Sequence, residues 1–126
     1  MSHVLVPLAQ GCEELEAITI TDLLVRAGVT VTTCGLDKQP VIASRGITII
    51  PDTSIDEVMN EDFDLIVLPG GLPGADHLRD NEALQSLLKK QALENKYVDA
   101  IGAATKALIK GEDVAGKKVD AYMGAL

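Results

Sequence analysis

The sequence predicts an α/β fold, a mostly parallel sheet sandwiched in three layers between helices. Three observations carry that expectation. Short apolar runs at residues 4–9, 29–34, 64–68 and 97–101 alternate with segments whose apolar residues recur every three or four positions. The composition is 47% apolar but only 2% aromatic, so Val, Ile, Leu and Ala must build the core, as suits a sheet buried on both faces. Glycine and proline cluster where an apolar run stops, most densely at residues 69–74.

Val4 to Ala9 reads as a buried strand that feeds a turn at Gln10-Gly11. From Glu13 the period lengthens: Ala17, Ile20, Leu24 and Ala27 form a helical stripe, with carboxylates in the first turn and Gly28 at a left-handed cap. Val29 to Cys34 is β-branched, so the beginning of the chain makes a β-α-β unit with a right-handed crossover. Val41-Ile42-Ala43 and Ile47 to Ile50 flank Ser44-Arg45-Gly46 and predict a short antiparallel excursion.

A helical turn is expected around Ile55 to Met59, then a buried strand over Asp64 to Leu68. Asp80 or Asn81 caps a helix whose buried stripe is Leu84, Leu87, Leu88 and Ala92. Tyr97 to Ile101 then forms a strand that turns at Gly102 into a helix ending near Lys110-Gly111. Residues 117–122 read as a weak further strand, because Asp120 interrupts it. No repeat or linker divides the chain, so residues 1–126 are expected to be one domain.

Eleven basic against nineteen acidic side chains give a net charge of −8, which disfavours nucleic acid. No run approaches the roughly 20 apolar residues of a membrane span, and no signal-peptide pattern opens the chain. A cytoplasmic protein is expected, without membrane contact. In that compartment Cys12 and Cys34 are free thiols, and with His3 and His77 isolated there is no metal-ligand spacing.

The site is expected at the carboxyl edge of the sheet, where two features fall. Pro69-Gly70-Gly71-Leu72-Pro73-Gly74 exposes backbone N–H groups able to hold an anion or oxyanion, or else is a tight turn and nothing more. The strand-to-helix crossing at Gly102 is where a nucleophile would be displayed or a ligand held, and its tip has no side chain.

Residues Val4 to Ala9, Gly11 to Ala17, Asp22 to Gly28, Ser44-Arg45-Gly46, Val67 to Gly71 and Ala100 to Ala104 together resemble the ThiJ/PfpI family. That family includes a parkinsonism-associated chaperone and deglycase and intracellular proteases, and it shares the class I glutamine amidotransferase-like fold. The resemblance implies a flavodoxin-like sandwich. It also implies a cysteine at the elbow, a glutamate on the first helix that shares its proton, and oxyanion donors from the Pro-Gly-Gly loop.

Residue by residue, Glu16 matches the glutamate, Gly70 and Gly71 the donors, and Gly102 the cysteine. The nucleophile is therefore missing, and Cys12 is a remote substitute. Thr105 stands where the family usually has proline, and Tyr122 lies near the place where some members have a histidine. Asp99 interrupts an apolar strand and needs a partner, with Lys106 and Lys118 as candidates.

The expected function is a degenerate, non-catalytic member that binds a small carbonyl ligand or a partner without a cofactor. The alternatives are a deglycase, glyoxalase or peptidase, and a holdase chaperone. Family members usually continue beyond this point, so the chain reads as truncated at its C-terminus and is expected to cover apolar surface by self-association. By resemblance it is a homodimer, with Glu13, Arg26, Arg45 and Gly46 at the contact.

Overall fold

A computed structural model of the chain describes residues 2–110 and 119–122. Its centre is a six-stranded sheet made of β1 (His3–Leu8), β2 (Thr30–Gly35), β5 (Thr53–Ser54), β6 (Leu65–Leu68), β7 (Tyr97–Ile101) and β8 (Val119–Tyr122). The strand order is β5-β2-β1-β6-β7-β8, and every pairing is parallel. The excursion expected after residue 40 is a separate antiparallel ribbon of β3 (Val41–Ile42) and β4 (Thr48–Ile49).

Side chains alternate along the central strands, and the sheet is buried on both faces. Leu5 of β1 and Ile66 and Leu68 of β6 enter one core with Phe63, Leu78, Leu84, Leu87 and Leu88. Val4, Val6 and Leu8 of β1 and Val67 of β6 enter the other with Ala17 and Val41. The near absence of aromatic rings is thus matched by two aliphatic layers, with Phe63 the largest fully buried side chain among the described residues.

Among the described residues, four helices cover the sheet: α1 (Glu14–Arg26), α2 (Gly74–Asp80), α3 (Glu82–Leu93) and α4 (Thr105–Lys110). Helix α3 follows its sequence pattern, because the Asn81 side chain accepts the Leu84 N–H at 2.8 Å and the expected leucines are buried. Helix α1 ends as expected at Gly28, whose φ is +84°. Its buried stripe is narrower than expected: Ala17 is buried, Ile20 and Leu24 are half-buried, and Ala27 is exposed. Leu15, Ile18, Leu23 and Val25 of the same helix face outward.

Two elements were not legible in the sequence. Helix α2 starts inside the glycine and proline cluster, which reads locally as loop, but Ala75 and Leu78 one turn apart bury it against the core. Strand β5 has only two residues, too few for any period to register. The expected helical turn after it is a 3-10 turn over Ile55–Glu57.

Asp99, expected in a buried strand, is half-buried, which lowers the cost of its charge. Lys106, one of its two candidate partners, places Nζ 2.7 Å from Asp76 Oδ1 on α2. Lys118 lies outside the described residues. No described helix is long and apolar enough to cross a membrane.

Candidate functional site

Because β1, β6 and β7 are neighbours, the loops leaving their carboxyl ends meet on one edge of the sheet. The chain reverses its direction of strand addition at β1, so this edge is the switch point where open α/β sheets hold ligands. The loops are Ala9 to Glu13 after β1, Pro69 to Pro73 after β6, and the 3-10 turn Gly102–Ala104 after β7. The peptide between Leu72 and Pro73 is cis.

Glu16, in the first turn of α1, is half-buried and reaches across to the second loop. Its Oε1 accepts the Gly70 N–H at 2.8 Å. The Gly70 carbonyl in turn accepts the Glu13 N–H at 2.9 Å, so the Pro-Gly-Gly loop is bonded to the start of α1 from both sides of one residue. A side chain at residue 70 would place its Cβ 2.6 Å from the Ile101 carbonyl oxygen and 2.7 Å from Glu16 Oε1. Only glycine lets the loop lie flat between the glutamate and the elbow.

Gly102 is buried at the tip of the elbow with φ +52°, in the left-handed region. Residue 70 therefore lies between Glu16 and the Ile101 carbonyl that precedes Gly102. One feature differs in detail: the Gly70 N–H donates to Glu16 and does not face the open edge. The Gly71 carbonyl accepts the Ala75 N–H at 2.9 Å and so starts α2.

Cys12 is buried, and its thiol is pushed up to about 11. Burial is the main cause, and the carboxylates of Glu14 and Glu13 add to it against the pull of backbone hydrogen bonds at Ala9 and Cys12. At neutral pH its thiolate fraction is about 10⁻⁴, the opposite of an activated nucleophile. Cys34 is buried in the other core, where burial lifts its thiol to about 12. Both thiols are free, as expected for this chain.

The sequence pattern sets Glu14, with Glu13 and Glu16, on the faces of the helix away from its apolar stripe, and the structure corrects this for Glu14, which is buried beside Ala17. Glu14 is only 6% exposed and accepts the Arg45 N–H at 2.8 Å, the Ile47 N–H at 3.2 Å and the Ser44 hydroxyl at 3.0 Å. Burial opposes its ionisation, but these donors together with its own backbone N–H hold the carboxyl below the usual glutamate range. The available signal was its position three residues before Ala17, which puts both on the buried face of α1.

The expected interface residues divide into two places. Glu13 and Arg45 come together at the start of α1, where the Ser44 hydroxyl lies 3.5 Å from Glu13 Oε2. Gly46 sits beside them in the open, with nothing within 4 Å of where a side chain would project. Arg26 is at the other end of the helix, roughly 20 Å away, and its guanidinium is 2.9 Å from Asp22. His3 is bonded to Thr32 at 2.8 Å, and no metal-holding group of three or more His, Cys, Asp or Glu exists among the described residues.

The arrangement offers a carboxylate bonded to a glycine loop and a buried elbow without a side chain, on a sheet whose family match runs over residues 2–126. The chain belongs to the DJ-1/PfpI family. It is 40% identical to Protein dj-1beta of Drosophila melanogaster over 119 residues, covering 94% of this chain and 64% of that protein. It is 36% identical over 100 residues to the Glutathione-independent glyoxalase DJR-1.2 of Caenorhabditis elegans, covering 79% of this chain and 53% of that one.

In structure it superposes on oxidized Toxoplasma gondii DJ-1 with a TM-score of 0.90 at 40% identity, over 97% of this chain and 67% of that one. The chain thus spans about two thirds or less of the length of these DJ-1/PfpI relatives. The DJ-1 fold agrees with the flavodoxin-like parallel sandwich expected from the sequence.

Proposed function

We propose that this DJ-1/PfpI domain binds a small carbonyl compound at the Glu16, Gly70 and Gly102 constellation without forming a covalent bond to it. The observation that supports the reading is the pairing of an intact Glu16 to Gly70 contact with an elbow that has no nucleophile. Cys12 does not replace the lost sulfur, because a thiol raised to about 11 stays protonated. The test is turnover of methylglyoxal by the purified chain. No product, with saturable perturbation of the Glu16 and Gly70 amides, supports the reading. Turnover that disappears in Glu16→Gln overturns it.

A second reading is a glyoxalase or deglycase, and it draws on the name of the Caenorhabditis elegans relative and on the retained glutamate. In it Glu16 moves a proton between a bound aldehyde hydrate and water. Activity that survives blocking of both cysteines is the outcome that separates it from any thiol mechanism.

Self-association is part of the same proposal. Leu15 and Ile18 on α1 are 74% and 51% exposed, and Ile42 and Ile47 of the neighbouring ribbon are 56% and 55% exposed. These exposed apolar side chains lie on the two elements that also carry Glu13, Arg45 and Gly46, which supports a homodimer there. The same surface supports a holdase role, in which a client's apolar segment replaces the second copy. The two free thiols fit a reducing compartment, and we place the chain in the cytoplasm.

A further inference from the structure

Residues 40–50, which carry β3 and β4, stand apart from the six-stranded sheet, because the two strands pair only with one another. Among the described residues, every hydrogen bond from this ribbon to the rest of the chain lands on residues 10–14. The Gln10 side chain donates to the Pro40 carbonyl and accepts the Ile42 N–H, both at 2.9 Å. The Gly11 N–H donates to the Ile42 carbonyl at 2.9 Å, and the Cys12 carbonyl accepts the Ser44 N–H at 2.8 Å. Glu14 takes three more on one carboxylate, the Ser44 hydroxyl on Oε1 and the Arg45 and Ile47 amides on Oε2.

The base under the ribbon is fixed from its other side. There the Glu13 N–H is bonded to the Gly70 carbonyl, and Gly71 and Gly74 lie against the Cys12 and Glu13 backbone. Val41 and Ala43 of the ribbon are buried in the same core layer as Cys12, whereas Ile42 and Ile47 face outward. Lifting the ribbon breaks only the contacts along this one seam and leaves the sheet ladder whole, so it takes less free energy than global unfolding.

Glu14 holds the most bonds on the seam, and bonds to a charged acceptor are roughly twice as strong as neutral ones. Protonation makes all three neutral. The groups facing Glu14 are Ser44 and Arg45 from the ribbon, with the guanidinium 3.4 Å from Ser44 Oγ, Cys12 from the loop, and Glu13 from its own helix, with Oε2 3.5 Å from the same hydroxyl. None of them gains a negative charge in acid to replace the one lost at Glu14.

We propose that residues 40–50 form a strap that lifts from the domain as a unit, with Glu14 as its latch, so that acid uncovers Cys12 while the sheet stays folded. The strap does not depend on what the Glu16 site binds.

The test labels the native chain with dithiodipyridine, which reacts with thiols in acid, from pH 7 down to about pH 3.5, below the ordinary glutamate value. Each cysteine is read separately by peptide mass spectrometry, and each rate is divided by that of glutathione at the same pH. Cys34, buried in the opposite core layer, reports global unfolding. Cys12 is expected to react at least tenfold faster at the acid end, with Cys34 unchanged. Glu14→Gln is expected to bring Cys12 to its acid rate already at pH 7 and to flatten the response. Gln10→Ala cuts two other ties and leaves the latch, so it is expected to raise the Cys12 rate at both ends and keep the acid increase. It carries the test if the Glu14 variant does not fold. Parallel labelling of the two cysteines at every pH, or an acid increase at Cys12 that persists in folded Glu14→Gln, would overturn the proposal.

Discussion

Glu16 Oε1 and the Gly70 N–H are 2.8 Å apart, 54 residues apart in sequence, and join the first helix to the loop beneath the elbow. The glutamate therefore has a structural task that is independent of chemistry. Glu16→Ala is expected to leave a buried donor without an acceptor and to cost about 1 to 2 kcal/mol in denaturant unfolding. Glu16→Gln keeps an acceptor oxygen and is expected to recover most of that loss.

Gly70→Ala is expected to be the more damaging change on the same contact. The added methyl meets the Ile101 carbonyl and the Glu16 carboxylate at once, and a shift of the loop costs about 1 to 3 kcal/mol. Combined with Glu16→Ala, the loss should be smaller than the sum of the two, because one of the two obstructing groups is gone. A fully additive double-mutant cycle would show that the residues are not coupled.

Acid should loosen the ribbon before it unfolds the sheet. The Glu14 carboxyl lies below its free value of 4.5, so its contribution is present above pH 4.5 and is lost as pH falls through the folded value. Hydrogen exchange at the Arg45 and Ile47 amides should accelerate in that window. In Glu14→Gln those amides should already be fast at neutral pH, with little further change in acid.

Alkali should act through the two thiols. Their values are raised from 9.0 to about 11 for Cys12 and about 12 for Cys34, so the folded chain keeps protons that the unfolded chain releases. That contribution is full below pH 9 and is lost as pH climbs to each folded value. The stability difference between the native chain and Cys12→Ala should narrow over pH 9 to 11, measured by urea midpoint. A native-state alkylation rate at pH 7 close to that of an exposed thiol would contradict the burial of Cys12.

If α1 and the ribbon associate with a second copy, Ile18→Lys should shift light-scattering mass toward the monomer without lowering the monomer's own stability by more than about 0.5 kcal/mol. A mass unchanged by this substitution, or already monomeric before it, would remove the dimer reading.

Much of the fold could be read from the chain because its strands are short apolar runs with clear punctuation. Two places resisted. Residues 69–74 hold three glycines and two prolines, yet the last glycine already begins α2, and only tertiary burial of Ala75 and Leu78 makes a helix there. Glu16, Gly70 and Gly102 are singled out by the family pattern, and the structure joins Glu16 to Gly70. The burial of Glu14 was not legible, because a carboxylate near a helix start is ordinarily a solvated dipole partner. Only the return of the ribbon, thirty residues later, supplies the donors that bury it.

The elbow has one more consequence. A backbone with φ +52° is unfavourable for any residue with a Cβ by about 1 to 2 kcal/mol. Glycine at position 102 avoids that cost. The turn thus holds a left-handed conformation without strain. Gly102→Cys would therefore be expected to lower stability by about 1 to 2 kcal/mol, measured by urea midpoint, whether or not the new thiol proves reactive.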